Sequence, residues 1–219
     1  MGSITRSLSN NITTGGVILP AGITNASVSA VTSFANASGG TLILLSTQTA
    51  SASANISFTT GLNSTYDEYI FKFINVRPAT DNTQLTFNFS TDSGSNYNVT
   101  KTTTFFVAIH SESDALSLLE YSGGLDLAQS TSFQPLTSEQ GSGADENSSG
   151  SLQLFNPSST TYVKHFIASG CANDTDDRCR NYYSAGYGNT TSAINAIRFQ
   201  MSSGNIADGI IKLYGVKKS

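Results

Sequence analysis

Charged side chains are scarce in this chain. Lys, Arg, Asp and Glu make up 12% of the 219 residues, and the formal net charge is −4. That share is about half of what globular proteins usually carry. No basic stripe is available to bind phosphates, which argues against a nucleic-acid partner. No uninterrupted apolar run approaches the ~18–20 residues of a membrane-spanning helix, so membrane insertion is not expected either.

Histidine and cysteine, which often carry metal and nucleophile chemistry, occur only twice each. His110 and His165 are the only bases for a nucleophilic triad, and both lie in apolar, strand-like segments that favour a structural role. The chain contains no Gly-x-Ser-x-Gly, phosphate-loop or His-Glu-x-x-His motif. We therefore predict no catalytic residue, no metal and no cofactor, and that the chain is not an enzyme.

The densest acidic groups are Asp67-Glu68 and the loop of residues 173–177. The loop has oxygen donors that could hold calcium, but it lacks the ligand spacing and the distant glutamate of a recognised calcium loop. Asp67-Glu68 opens a strand and is interpreted as a solvated strand end. Cys171 and Cys179 lie eight positions apart, so a disulfide and two free thiols both remain open.

The first part of the chain is unusual because residues 7–66 contain no charge. A flexible Ser/Thr/Gly linker would look like this. A segment buried against other chains would too, and apolar clusters such as residues 17–19 favour that second interpretation. These clusters are too short for the core of a signal peptide, so ordinary secretion is not expected. We predict an extended N-terminal attachment and oligomerisation arm over residues 1–46.

From residue 47 onward, alternating apolar residues and turn signals predict a β-rich domain over residues 47–219. Nine strands are expected, at residues 51–60, 68–76, 84–90, 101–109, 151–155, 162–168, 181–187, 196–201 and 210–215. Residues 68–76 have apolar side chains on both faces, with Phe73 on one and Val76 on the other, which predicts a central strand. Alternation within residues 84–90 predicts that Leu85, Phe87 and Phe89 point inward. The expected fold class is mainly β, an antiparallel β-sandwich or jelly roll. A short helical turn is expected within residues 111–119, and a polar surface loop over residues 139–150.

Aromatic residues are the best candidates for contact with a partner. The chain has nine Tyr and no Trp, a mixed sign for sugar binding, where aromatic rings usually stack on the ligand. Tyr182, Tyr183 and Tyr187 lie in a Gly-containing stretch beside the two cysteines. They are predicted to face a receptor or glycan, and the alternative is that they pack within the fold.

Several strings resemble a family of structural proteins from tailed phages of marine bacteria, including cyanophages, that are often described as fibre-like. They are residues 64–81 (STYDEYIFKFINVRPATD), 90–98 (STDSGSNYN), 126–130 (DLAQS), 154–166 (LFNPSSTTYVKHF), 188–204 (GNTTSAINAIRFQMSSG) and 211–215 (IKLYG). The resemblance covers about residues 47–215. The segment from Cys171 to Cys179 departs from it, which suggests a receptor-facing loop there.

The resemblance implies a virion structural protein, assembled in the cytoplasm of the host cell. A tail-fibre or appendage subunit is expected, a homotrimer anchored to other virion proteins through residues 1–46 and contacting host surface glycan. Two alternatives remain open: a capsid decoration or head-fibre protein, and a carbohydrate-binding module.

Overall fold

The computed structural model describes residues 41–218, which form twelve β-strands and no helix. The strands are β1 Leu42–Ser53, β2 Ile56–Phe58, β3 Glu68–Pro78, β4 Leu85–Ser90, β5 Lys101–Ser111, β6 Ser117–Tyr121, β7 Gln134–Pro135, β8 Ser148–Phe155, β9 Lys164–Asn173, β10 Arg178–Gly188, β11 Ala196–Met201 and β12 Ile206–Val216. Across this part of the chain, no helix is long and apolar enough to cross a membrane.

The strands form two antiparallel sheets. The large sheet has eight strands in the order β1-β12-β3-β8-β9-β10-β5-β6, and the small sheet has four in the order β2-β11-β4-β7. All neighbouring strands pair antiparallel. The expected mainly β, antiparallel sandwich is therefore confirmed. The prediction that residues 68–76 form a central strand is also confirmed, because β3 lies between β12 and β8.

Aromatic side chains join the two sheets in the core. The ring of Phe199 on β11 lies 5.4 Å from that of Phe71 and 5.2 Å from that of Phe73, both on β3. Within the small sheet, its centroid is 6.3 Å from both Phe58 and Phe87. Such aromatic pairs add about 0.5–1.5 kcal/mol each beyond the burial of apolar area. Phe199 is thus one of several aromatic contacts that hold the small sheet on the large one, and Phe166 on β9 makes another with Phe87 on β4, at 5.0 Å.

A second cluster lies under β5 and β10, where loops replace the small sheet as the cover. Its buried members are Phe105, Val107, Ile109, Ala172 and Tyr182, and Leu116, Leu118 and Leu125 pack against them. The three leucines come from the segment between β5 and β7. The inner face of the large sheet is therefore covered by the small sheet and by this segment, whereas no second layer from residues 41–218 covers its opposite face, the outer face.

Alternation of side chains along the strands was predicted correctly for β4, where Leu85, Phe87 and Phe89 all point into the core. In β3 the prediction fails at Val76, which was expected on the face opposite Phe73 but is completely buried. The register of β3 with β8 shifts between Phe73 and Val76, and Asn75 between them has a φ of +50°. This bulge advances the alternation by one residue and returns Val76 to the core.

Two further expectations are corrected. Residues 117–121 form strand β6, paired with β5, where a helical turn was expected; the edge of the large sheet supplies backbone partners that override local preference. The predicted surface loop over residues 139–150 is only partly at the surface, since Gln140 is inaccessible to solvent, its Nε2 donates to the carbonyl oxygen of Val76, and residues 148–150 belong to β8. The segment around Gln140 thus helps to close one end of the sandwich.

The sheet begins earlier than the predicted domain. Strand β1 starts at Leu42 and pairs with β12 from that residue onward, so residues 42–46 belong to the sheet. The rest of the predicted arm, residues 1–40, lies outside the described residues.

Candidate functional site

The outer face of the large sheet carries most of the exposed apolar surface. Eight large hydrophobic side chains are exposed in the described part of the chain. Strand alternation places all but Tyr162 on this face: Leu42, Leu44, Phe106, Leu119, Tyr121, Ile167 and Tyr183. Phe106, Leu119, Tyr121 and Tyr183 lie on the adjacent strands β10, β5 and β6, and clusters of exposed apolar side chains of this kind often mark interaction sites. The outer face is therefore the candidate functional site.

The strand register aligns one residue from each strand of the large sheet into a line across the outer face, called here the cross-strand row. In order from β6 to β1 it contains Tyr121, Phe106, Tyr183, Ser169, Ser151, Lys72, Lys212 and Thr47. The row thus passes from aromatic residues through two serines to two lysines.

The aromatic end of the row is ordered by contacts between its side chains. The rings of Phe106 and Tyr183 stack face to face, with centroids 4.9 Å apart and planes inclined by 12°. Next to them, the Tyr121 hydroxyl donates to Oδ2 of Asp126, and this hydrogen bond raises the pKa of Tyr121. Stacked aromatic side chains expose large rigid surfaces at low cost in conformational entropy, which suits them to binding.

The predicted receptor-facing tyrosines separate in the structure. The prediction for Tyr182 is wrong: its side chain is 1% exposed, and its hydroxyl donates to the carbonyl oxygen of Ser138. Because successive side chains of a strand point to opposite faces, Tyr182 and Tyr183 cannot both face outward. Tyr183 is 42% exposed on the outer face. Tyr187 lies on the same face, half-buried, with its ring 6.1 Å from that of His165.

The basic end of the row was not predicted from the sequence. Lys72 on β3 lies directly opposite Lys212 on β12, and neither forms a salt bridge with a described acidic residue. The Nζ atom of Lys72 lies 5.7 Å from the centroid of the Tyr214 ring. Because Lys72 lies between the buried Phe71 and Phe73, the sequence indicates that the Lys72 side chain is exposed. Only the pairing of β3 with β12 brings Lys72 and Lys212 together.

The two cysteines lie on the hairpin of β9 and β10, on the outer face. Their Sγ atoms are 3.4 Å apart, and both residues are free thiols exposed to solvent. Partial burial and the hydrogen bond with Cys179 raise the pKa of Cys171 to about 11, so this thiol is protonated and weakly nucleophilic at neutral pH. Cys179 also lines an open depression of about 540 Å³ between β10, β5 and β6, together with His110 and Leu119.

The acidic loop between the cysteines is used for structure. Asp174 is 1% exposed, and its Oδ2 accepts a hydrogen bond from Nε of Arg180 at 2.5 Å. Its Oδ1 accepts from the backbone N–H groups of Asp176 and Arg178. Arg180 also pairs with Glu139. Among residues 41–218, no cluster of ligating side chains suited to a metal ion is present. Both carboxylate oxygens of Asp174, the buried acid of this loop, are thus engaged by Arg180 and the hairpin backbone.

A second feature that sequence reasoning missed is a buried lysine on the inner face. Lys101 is inaccessible to solvent, and its Nζ donates to Oδ1 of Asn88 at 2.6 Å and to the carbonyl oxygen of Val99 at 2.9 Å. Burial lowers the pKa of Lys101 to about 7. The sequence did indicate this position, because Lys101 is an even number of residues from the buried Phe105 and Val107 and its side chain therefore lies on the same face of the strand.

Comparison of the chain with models of protein families, with curated proteins and with solved structures gives no match in any of the three.

Proposed function

We propose that this chain is a subunit of a tail fibre or appendage of a bacteriophage virion, anchored through its N-terminal segment and presenting the sandwich to the host surface. The observation that carries the proposal is the concentration of exposed aromatic side chains on the outer face, which no other layer of the described residues covers. A domain that recognises a surface needs such a face, whereas a purely structural sandwich gains nothing by exposing stacked aromatics.

The N-terminal sequence supports the anchoring part of the proposal. The charge-free run of residues 7–66 continues into β1, the edge strand of the large sheet. A neutral segment is inserted into an assembly without the desolvation cost of buried charges. The proposed oligomer is a homotrimer, with residues 1–40 supplying most of its contacts and the contacts with other virion proteins.

The resemblance of residues 47–215 to structural proteins of marine tailed phages supports the virion location. A capsid decoration or head-fibre protein would use the same anchor, so we keep it as the second candidate. A carbohydrate-binding module is the third candidate, favoured specifically by the Phe106–Tyr183 stack.

Cryo-electron microscopy of the particle that carries this chain tests the proposal. Density on the tail or neck, in a few dozen copies, is the expected result. Density spread over the head lattice, in hundreds of copies, would make the chain a decoration protein. Absence of the chain from purified particles, checked by mass spectrometry of the same preparation, would reject a virion role and leave the carbohydrate-binding module.

A further inference from the structure

We propose that the cross-strand row binds an acidic polysaccharide, with a sugar ring stacked on Tyr183 and a carboxylate or sulfate group held by Lys72 and Lys212. The inference rests on the proposed function, since it names the class of host-surface molecule that the outer face would meet.

The first argument is a trough in the middle of the row. Phe106 covers one face of the Tyr183 ring, so the other face is turned toward β9. There the next residue of the row is Ser169, followed by Ser151 on β8. Both side chains are too short to cover the ring. With strands about 4.8 Å apart, β10 and β3 are separated by about 14 Å, which leaves room for sugar rings between Tyr183 and Lys72.

The trough also offers polar groups. No hydrogen bond joins the hydroxyl of Ser169 or Ser151 to another described side chain, so both remain free to bind the hydroxyl groups of a sugar. An apolar ring face beside hydroxyl groups matches the surface of a pyranose, which has C–H faces and a hydroxylated edge.

The lysine pair indicates an anionic ligand. Like charges directly opposite each other on a sheet destabilise it, and Lys72 and Lys212 have no described acidic partner to offset the repulsion. The outer-face residues that flank the row on both sides are all uncharged: Thr104, Ala185, Ile167, Gln153, Ile70, Tyr214 and Leu44 on one side, and Leu119, Ala108, Asn181, Cys171 and Ser149 on the other. A bound carboxylate or sulfate would supply the missing negative charge.

The same charge pattern argues against a second copy of the chain as the occupant. A copy docked face to face would bring no acidic side chain from the row or its flanks to the lysines, and the carboxylate beside the row, that of Asp126, already accepts the hydrogen bond of Tyr121. It would therefore bury two cations without a free acidic partner, which is unfavourable because buried charges lose their hydration.

Binding of three soluble polysaccharides to the full-length protein tests the inference by isothermal titration calorimetry. Polygalacturonate carries carboxylates, dextran sulfate carries sulfates, and unmodified dextran is the neutral counterpart. We expect binding of at least one acidic polymer, weakened by added salt because exposed charges are screened, and no binding of dextran.

Variants locate the binding on the row. The double variant Lys72→Gln/Lys212→Gln should bind the acidic polymer at least about tenfold more weakly. The control Lys217→Gln/Lys218→Gln, which has the same net charge, should bind normally.

Tyr183→Ala should lose about tenfold in affinity for the acidic polymer as well. Tyr162→Ala removes a tyrosine that does not lie on this face and should keep its affinity. Ser169→Phe fills the trough while leaving Tyr183 and both lysines in place, and it should block binding. Circular dichroism confirms that each variant is folded.

Several outcomes would overturn the inference. The inference is wrong if neither acidic polymer binds, or if dextran binds as tightly as the acidic polymers do. It is also wrong if the two lysine double variants lose the same amount of affinity. Dissociation of an oligomer by Tyr183→Ala or Ser169→Phe, seen by light scattering, would assign the face to a second copy. If no acidic polymer binds but density for the chain lies on the tail, only this inference is rejected and the proposed function is still supported. Acidic-polymer binding by a chain that is absent from virions would reject only the virion role.

Discussion

At the scale of single residues, the most unusual group is the buried ammonium of Lys101. Its pKa in the folded protein is about 7, whereas an unfolded lysine titrates near 10.4. Between these values the unfolded chain binds one more proton than the folded chain, so protonation favours unfolding. The free energy of unfolding should therefore rise as the pH increases from 7 to 10, by up to about 1.4 kcal/mol per pH unit from this group.

Replacing the lysine tests this expectation. Lys101→Met keeps a long apolar side chain, and urea denaturation from pH 7 to 10 should show a shallower rise of the unfolding free energy than in the unaltered protein. The carbonyl groups of Asn88 and Val99 lose their donor in this variant, at a cost of about 1–3 kcal/mol that does not depend on pH. The exposed Lys72→Met is the control and should keep the full slope. Parallel curves for all three proteins would show that Lys101 stays protonated.

At the scale of the strands, bulges decide which residues face the core. In β12 the register with β3 shifts on both sides of Asp208, and Gly209 follows with a φ of +125°. A Cβ atom on Gly209 would lie 2.6 Å from Cα of Val76 and 2.8 Å from the backbone oxygen of Asn75. Both atoms belong to the bulge of β3, so the two irregularities fit against each other and require glycine.

We expect Gly209→Ala to lower the free energy of unfolding by about 2–4 kcal/mol, because neither the left-handed backbone nor the two backbone contacts can adapt cheaply. Gly124→Ala is the matched control, since nothing lies within 4 Å of the added atom, and its effect should stay within about 0.5 kcal/mol. Urea denaturation of both variants measures the difference. Equal stabilities would mean that the two bulges move apart at little cost.

At the scale of the whole molecule, the start of the large sheet separates two parts of the chain: residues 1–40, which are proposed to anchor it, and the residues that form the sandwich. Since β1 begins at Leu42, a variant lacking residues 1–40 retains all twelve strands. We expect it to keep the far-ultraviolet circular dichroism and thermal midpoint of the full chain but to become monomeric, because the proposed trimer contacts are removed.

Size-exclusion chromatography with light scattering measures the mass of both forms. The full-length variant Ile18→Asp, which puts a charge into an apolar cluster of the predicted arm, is a second probe and should weaken the oligomer in the same direction. A truncated chain that remained trimeric would move the oligomer interface into residues 41–218.

Local patterns in the amino-acid sequence were enough to predict the class of fold and much of the core. Alternation identified Phe87 and Phe89 as inward-facing, because the period of a strand is a local property that each segment carries on its own. The scarcity of charge and the lack of catalytic motifs likewise needed no structure. Tyr182 and Tyr183 show the limit of this reasoning, since alternation separates the two rings but does not say which one faces the core.

The tertiary structure alone decided the candidate site. Lys72, Tyr183 and Lys212 lie far apart in the sequence, on strands β3, β10 and β12, yet strand order and register align them on one face. Register depends on bulges such as those at Asn75 and Gly209, where one extra residue reverses the face of everything after it. Those shifts arise from contacts between distant strands, so the composition of any single strand does not encode them.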